Sequence, residues 1–253
     1  MKGETEVRRR IAEIDGAPPG TTTPSGLLKD LAWVVHVLGA AANTHNPNIP
    51  MAKAAVLDGI VQESQLLHRL SADLSAIIWK GHSNRQLWTG SVSTNHIPSA
   101  ASFVPLTTDE KLRVKPTRQG LYTSTHLPGT EASSMWLMYL EQFGRGLFPK
   151  PWRTYALAVA DGSRIYDVRS AEAWTQLVLQ YPLEHAGLVY PDWAQIATKY
   201  DAVHFTVSAV VAIQEIRLAA GGFTVPEGYW DAEQTLWLNW CFDSVQQVSI
   251  GGE

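Results

Sequence analysis

The chain has almost no sulfur chemistry to offer. Its one cysteine, Cys241, excludes an internal disulfide and any cysteine-based zinc site. No apolar run reaches the roughly 18 residues of a membrane-spanning helix. The first residues, MKGETEVRRRIAEIDG, mix acids and bases and lack the apolar core of a signal peptide, so a cytoplasmic protein is expected. Neither GxGxxG nor GxxxxGK[ST] occurs, which argues against a Rossmann or P-loop nucleotide site. GxSxG and HExxH are missing too. The eight histidines stand singly, none at metal-ligand spacing, and no metal is expected.

What is present is the composition of an ordinary globular protein: 253 residues, 45% hydrophobic and 17% charged. The net charge of −4 hides an uneven distribution. Residues 80–169 carry 11 Lys/Arg against 6 Asp/Glu, whereas residues 170–253 carry 2 against 10. A basic middle and an acidic end suit a site where an anionic ligand meets an acid-bearing wall, and equally suit charge drifting along a solvated surface.

The texture of the chain divides it. Residues 1–25 read as an N-terminal linker, with GAPPGTTTPSG as its Pro/Gly/Thr-rich part. Residues 26–81 read as a helical segment, with Val56, Ile60, Leu67, Leu70, Leu74 and Ile77 at helical spacing. Beyond residue 87 lie eight of the ten tryptophans and all eight tyrosines. Strand-like runs follow: RQLWTGSVS, GLYTST, TYALAVA, RIYDV, YDAVHFTVSAVVAI and QTLWLNWCF. Three helical runs sit between them: EASSMWLMYLEQF, AEAWTQLVLQYP and PDWAQIATKY. This mixture predicts an α+β domain over residues 82–253.

Three segments in fixed order are candidates for chemistry: RQLWTGS, then KPTRQGLYTSTHLPGTEASSMW, then WDAEQTLWL. In an extended reading of the last, Asp231, Glu233, Thr235 and Trp237 share one face. Leu236, Leu238, Trp240 and Phe242 share the other. Glu233 is then expected to be held by a packed strand without being buried itself. A solvated loop-end acid is the competing expectation.

The order and spacing of these segments resemble the ADP-ribosyltransferase superfamily. RQLWTGS is similar to its first strand, GLYTST…EASSMW to its second strand and following helix, and DAEQTLWL to its carboxylate-bearing strand. The resemblance implies a split β-sheet around an NAD cleft, with NAD as co-substrate and Glu233 and Asp231 as catalytic residues. Tyr122 would stack on nicotinamide, and Ser124 and Thr125 would brace the glutamate. Trp88 and Gly90 fall in the first motif, and Trp88 and Trp230 are candidates for lining the pocket, although core packing suits each. Thr89 stands where the family presents Arg or His, so either Arg85, Lys115 or Arg118 supplies that contact, or NAD takes a different pose, or the site is not an NAD site. Lys115, Arg118 and Arg113 precede the second strand and are candidates for the diphosphate.

The implied reaction is transfer of ADP-ribose from NAD to a protein side chain or nucleobase, releasing nicotinamide. Water as acceptor would make a toxin-like NAD glycohydrolase. An inhibitor or antitoxin is a further possible partner, and no membrane is expected. The rivals are a non-catalytic binding module on the same fold and a nucleic-acid binder using aromatic stacking.

Overall fold

The computed structural model describes residues 83–94, 96–106, 113–127, 132–143, 146 and 148–249. The expected N-terminal linker and helical segment lie outside the described residues. What is described is mixed α and β, dominated by one seven-stranded sheet.

The strands of that sheet are β1 (Arg85–Ser91), β2 (Leu121–Thr125), β3 (Trp152–Val159), β4 (Ile165–Val168), β7 (Ala202–Phe205), β10 (Gln234–Trp237) and β11 (Phe242–Val248). Their order is β11-β3-β1-β2-β10-β7-β4. All neighbours pair antiparallel except β4 and β7, which run parallel. Two hairpins complete the strands: β5 (Pro182–His185) with β6 (Leu188–Pro191), and β8 (Leu218–Ala220) with β9 (Phe223–Val225). The helices are α1 (Met135–Gln142), α2 (Ala171–Gln180), α3 (Trp193–Ala197) and α4 (Val207–Ile213). Among the described residues, no helix is long and apolar enough to cross a membrane.

The pairing of β1 with β2 is the shortest in the seven-stranded sheet. β1 matches β3 over seven residues but β2 over only two, Gln86 with Thr125 and Leu87 with Ser124. Beyond Leu87 the two central strands have no paired partners in each other. The Asp161-Gly162 turn also does more than reverse the chain. It leads from β3 on one side of that weak seam to β4 at the far edge on the other, with Gly162 at φ +80°.

Both faces of the sheet are covered. On one, α2 and α4 pack over β4, β7 and β10, and Trp174, Trp193, Phe205 and Trp230 form an aromatic cluster. Phe205 and Trp230 stack with ring centroids 3.8 Å apart. On the other face Leu121, Tyr155, Leu157, Trp237 and Phe242 bury one another. Each large side chain so buried contributes about 1.5–3 kcal/mol.

Two expected strands are corrected by this packing. YDAVHFTVSAVVAI is a strand only to Phe205. Thr206 then caps α4, its hydroxyl accepting from the Ala209 amide at 3.3 Å. The β-branched VSAVVAI favours a strand by propensity, but burial of Val207, Ala209 and Val210 in the tertiary core outweighs that weak preference. QTLWLNWCF likewise breaks after Trp237 and resumes as β11 at Phe242. β10 has no solvated face, because it lies centrally between two covered faces: all four of its residues are buried.

Candidate functional site

Where β1 and β2 part, a cavity of about 680 Å³ opens. Trp88, Thr89 and Gly90 line it from β1, and Tyr122 from β2. Lys115 and Arg118 line it from the segment before β2, and Asp231 and Gln234 from the entrance to β10. Trp136 and Tyr139 of α1 close one wall, while Phe103 and Trp240 belong to an aromatic end.

Local sequence explains the wall of β1. Trp88 packs against Tyr155 and His96, with ring centroids 5.9 and 5.5 Å away. A Cβ on Gly90 would overlap the Trp88 ring at Cη2, so only glycine lets the indole lie where it does. Thr89 turns its hydroxyl to Thr154, 2.9 Å away, while its carbonyl accepts from Trp136 Nε1 at 3.2 Å. Arg85 lies at the far end of β1, outside the cavity, so the cations that line the cavity from the predicted set are Lys115 and Arg118.

Lys115 is held tightly. Its Nζ donates to the Tyr229 carbonyl at 2.7 Å, lies 4.0 Å from Asp231 Oδ2, and stands 5.3 and 5.4 Å from the ring centres of Tyr122 and Trp230. Burial lowers its pKa to about 8 against the opposing pull of Asp231. Burial and the neighbouring Asp231, to which its hydroxyl donates, push the Tyr139 phenol up to about 12. Gln214 Nε2 also reaches Asp231 Oδ1, at 3.4 Å. Asp231 is thus the carboxylate that faces the cavity, and its surroundings fix it there.

Glu233 is placed otherwise than its sequence suggested. It is 1% exposed and does not line the cavity, nor do Ser124 and Thr125. The reason is that its carboxylate turns into the sheet, where donors converge on it. Ser124 Oγ donates to Oε2 at 2.6 Å and Thr125 Oγ1 to Oε1 at 2.7 Å. The Thr125 amide lies 3.1 and 3.3 Å from the two oxygens. The fourth partner is His204, in the middle of β7, with Nε2 3.0 Å from Oε1. Burial alone would raise the Glu233 pKa, but the hydrogen bond and charge of His204, with Ser124 and Thr125, hold it below the usual range.

His204 is fully buried, and its other nitrogen, Nδ1, lies 3.0 Å from Asp167 Oδ1 on β4. Asp167 accepts in turn from Arg169 at 3.0 Å. Burial opposes a charge on His204, yet the two carboxylates prevail and raise its pKa to about 9. Neither His204 nor Asp167 stood out by motif. Their signal was positional: AVHF and IYDV are strands with one titratable residue among apolar ones, and a buried titratable group needs a partner. Among the described residues no group of His, Cys, Asp and Glu is arranged to hold a metal ion.

Trp230 packs in the core at 0% exposure instead of lining the cavity. Comparison of the chain with protein-family models, curated proteins and solved structures finds no match.

Proposed function

We propose that the cavity binds NAD and that the protein is an ADP-ribosyltransferase, cleaving the nicotinamide–ribose bond and passing ADP-ribose to a protein side chain or nucleobase. The observation that carries this reading is the cavity at the parting of β1 and β2, where all three sequence motifs meet around one cleft-facing carboxylate. Its volume lies within the range of small-molecule and cofactor sites. Trp88, Tyr122 and Trp136 offer flat faces for planar rings, and Lys115 and Arg118 offer positive charge for a diphosphate.

Bond cleavage develops positive charge on the ribose, as in glycoside hydrolysis. A fixed anion beside it lowers the barrier because it needs no reorganisation. Asp231, which lines the cavity, is the carboxylate we assign to that charge. Glu233, two residues on, is ionised and paired with His204, and anchors the strand terminus.

A second reading rests on its own observation. Glu233 is saturated by protein donors, and Asp231 is already engaged by Lys115, Tyr139 and Gln214. A site so internally satisfied suits a binding module that holds a nucleotide-like ligand without cleaving it.

Nicotinamide release from NAD separates the two. The assay compares wild type, Asp231→Asn and Glu233→Gln, alone and with DNA, RNA or cell lysate. Turnover by wild type and a loss of about a hundredfold or more in Asp231→Asn support the transferase. Saturable NAD binding without turnover leaves the binding module. Absence of both removes NAD from the cavity.

A further inference from the structure

The polar contacts behind the cavity form one directed chain. Trp237 Nε1 donates to Thr123 Oγ1 (2.8 Å), which donates to Gln86 Oε1 (2.7 Å). Gln86 Nε2 donates to Thr125 Oγ1 (3.4 Å), which donates to Glu233 Oε1 (2.7 Å). From the opposite edge Arg169 donates to Asp167. These donors lead toward Glu233 or Asp167, although Gln86 Nε2 also donates to the Ser83 carbonyl at 2.9 Å, and His204 lies between the two carboxylates, 3.0 Å from each.

This direction fixes the state of the imidazole. A neutral ring has one N–H and would set a bare lone pair against an ionised carboxylate on its other side. Protonating Glu233 instead would oppose the donors from Ser124 and Thr125, and protonating Asp167 would weaken its pairing with Arg169. Among the groups facing His204 are Asp167 on β4 and Glu233 before β10, with Arg169 beyond the first and the uncharged Ser124 and Thr125 beyond the second.

We propose that Asp167 and His204 are positioning residues: His204, doubly protonated, locks Glu233 as an anion behind the cavity and so fixes the adjoining Asp231 and Gln234 that line it. The lock spans β4, β7, β10 and β2, the half of the sheet on one side of the parting. Its bearing on turnover rests on the transferase reading, whereas the charge state of His204 does not.

The test follows both. The imidazole nitrogens of His204 are observed by nitrogen-15 NMR, assigned through their loss in His204→Gln, across pH 5–10 in wild type and Asp167→Asn. Nicotinamide release is measured over the same range. The expected result is an imidazolium at pH 7 in wild type and an alkaline transition displaced downward by about one pH unit or more in Asp167→Asn. The alkaline limb of nicotinamide release should move with it, while a purely structural role would lower the melting temperature and leave the limb in place. A neutral His204 at pH 7 overturns the proposal, as does a transition that Asp167→Asn leaves unmoved. A displaced transition with an unmoved limb overturns the positioning role. If wild type has no turnover, the transferase reading fails, and the nitrogen spectra alone decide for or against the lock.

Discussion

Replacing Glu233 with glutamine preserves shape and removes charge at the point where most donors converge. The carboxylate accepts from the Ser124 and Thr125 hydroxyls, the Thr125 amide and His204 Nε2. An amide cannot serve all four. With its oxygen toward His204, its NH2 meets the Thr125 N–H. With the amide reversed, its NH2 meets the imidazolium N–H. The first orientation leaves the Thr125 amide only its longer contact, 3.3 Å, and the second leaves the buried imidazolium N–H unpaired, which costs about 1–3 kcal/mol. His204 also loses one of its two counter-charges, and breaking a buried ion pair costs about 3–5 kcal/mol in all. For a domain of this size roughly 2–4 °C accompanies each kcal/mol, so the melting temperature should fall by about 6–20 °C. Thermal unfolding followed by circular dichroism at pH 7 measures it. Asp231→Asn, at a site with 26% side-chain exposure, is the control and should shift far less. A Glu233→Gln protein that melts within about 2 °C of wild type would refute the saturated, ionised carboxylate. The same numbers require that Glu233→Gln turnover be assayed well below its melting point.

Gly90→Ala should displace the Trp88 indole, because the new methyl would overlap its ring. Ligand affinity in the cavity should drop about tenfold or more with little loss of secondary structure, as read by tryptophan fluorescence during titration. Trp230→Ala should remove about 3–5 kcal/mol of stability, since the side chain is fully buried and stacked on Phe205. Stability should also respond to pH in two windows. His204 has a raised pKa, so its contribution is complete below its unfolded value near 6.5 and is lost as pH climbs through about 9. Glu233 has a lowered one, so its contribution is present above its unfolded value near 4.5 and is lost as pH falls. Chemical denaturation at pH 4, 7 and 9.5 should therefore place the maximum at the middle value.

Local signals in the sequence reached some of this and missed the rest for identifiable reasons. RQLWTGS, LYTST and IYDV are strands because apolar, aromatic and β-branched residues suit a pleated surface between covered faces. The short hairpins PLEH–LVYP and LAA–FTV escaped notice. Ala186-Gly187 and Gly221-Gly222 supply the positive φ of their turns, but the strands have only three or four residues and no clear alternation. VSAVVAI misled because its β-branched composition speaks for a strand while its burial in a helix is decided by residues far along the chain. At the site, Trp88, Lys115, Tyr122 and Asp231 come together around the cavity. The direction of Glu233 was not legible, because period-two reasoning presumed a longer β10 than the chain forms. A carboxylate before a four-residue strand is turned by its partners, and the decisive one, His204, belongs to a strand that no motif marked.

The polar chain behind the cavity is built almost wholly from residues remote in sequence. Thr125 and Glu233 are 108 positions apart, Asp167 and His204 37, and His204 and Glu233 29. Closing such loops is an entropic cost met only when the strands that hold them have docked. Before β10 takes its place between β2 and β7, His204 and Glu233 have no partners in each other, and a charged imidazole in an apolar strand is a liability. Assembly of this charged centre is therefore expected late in folding. A chain arrested short of that step lacks the carboxylate lock, so a ligand that requires the finished cavity would bind completed molecules and oppose their unfolding.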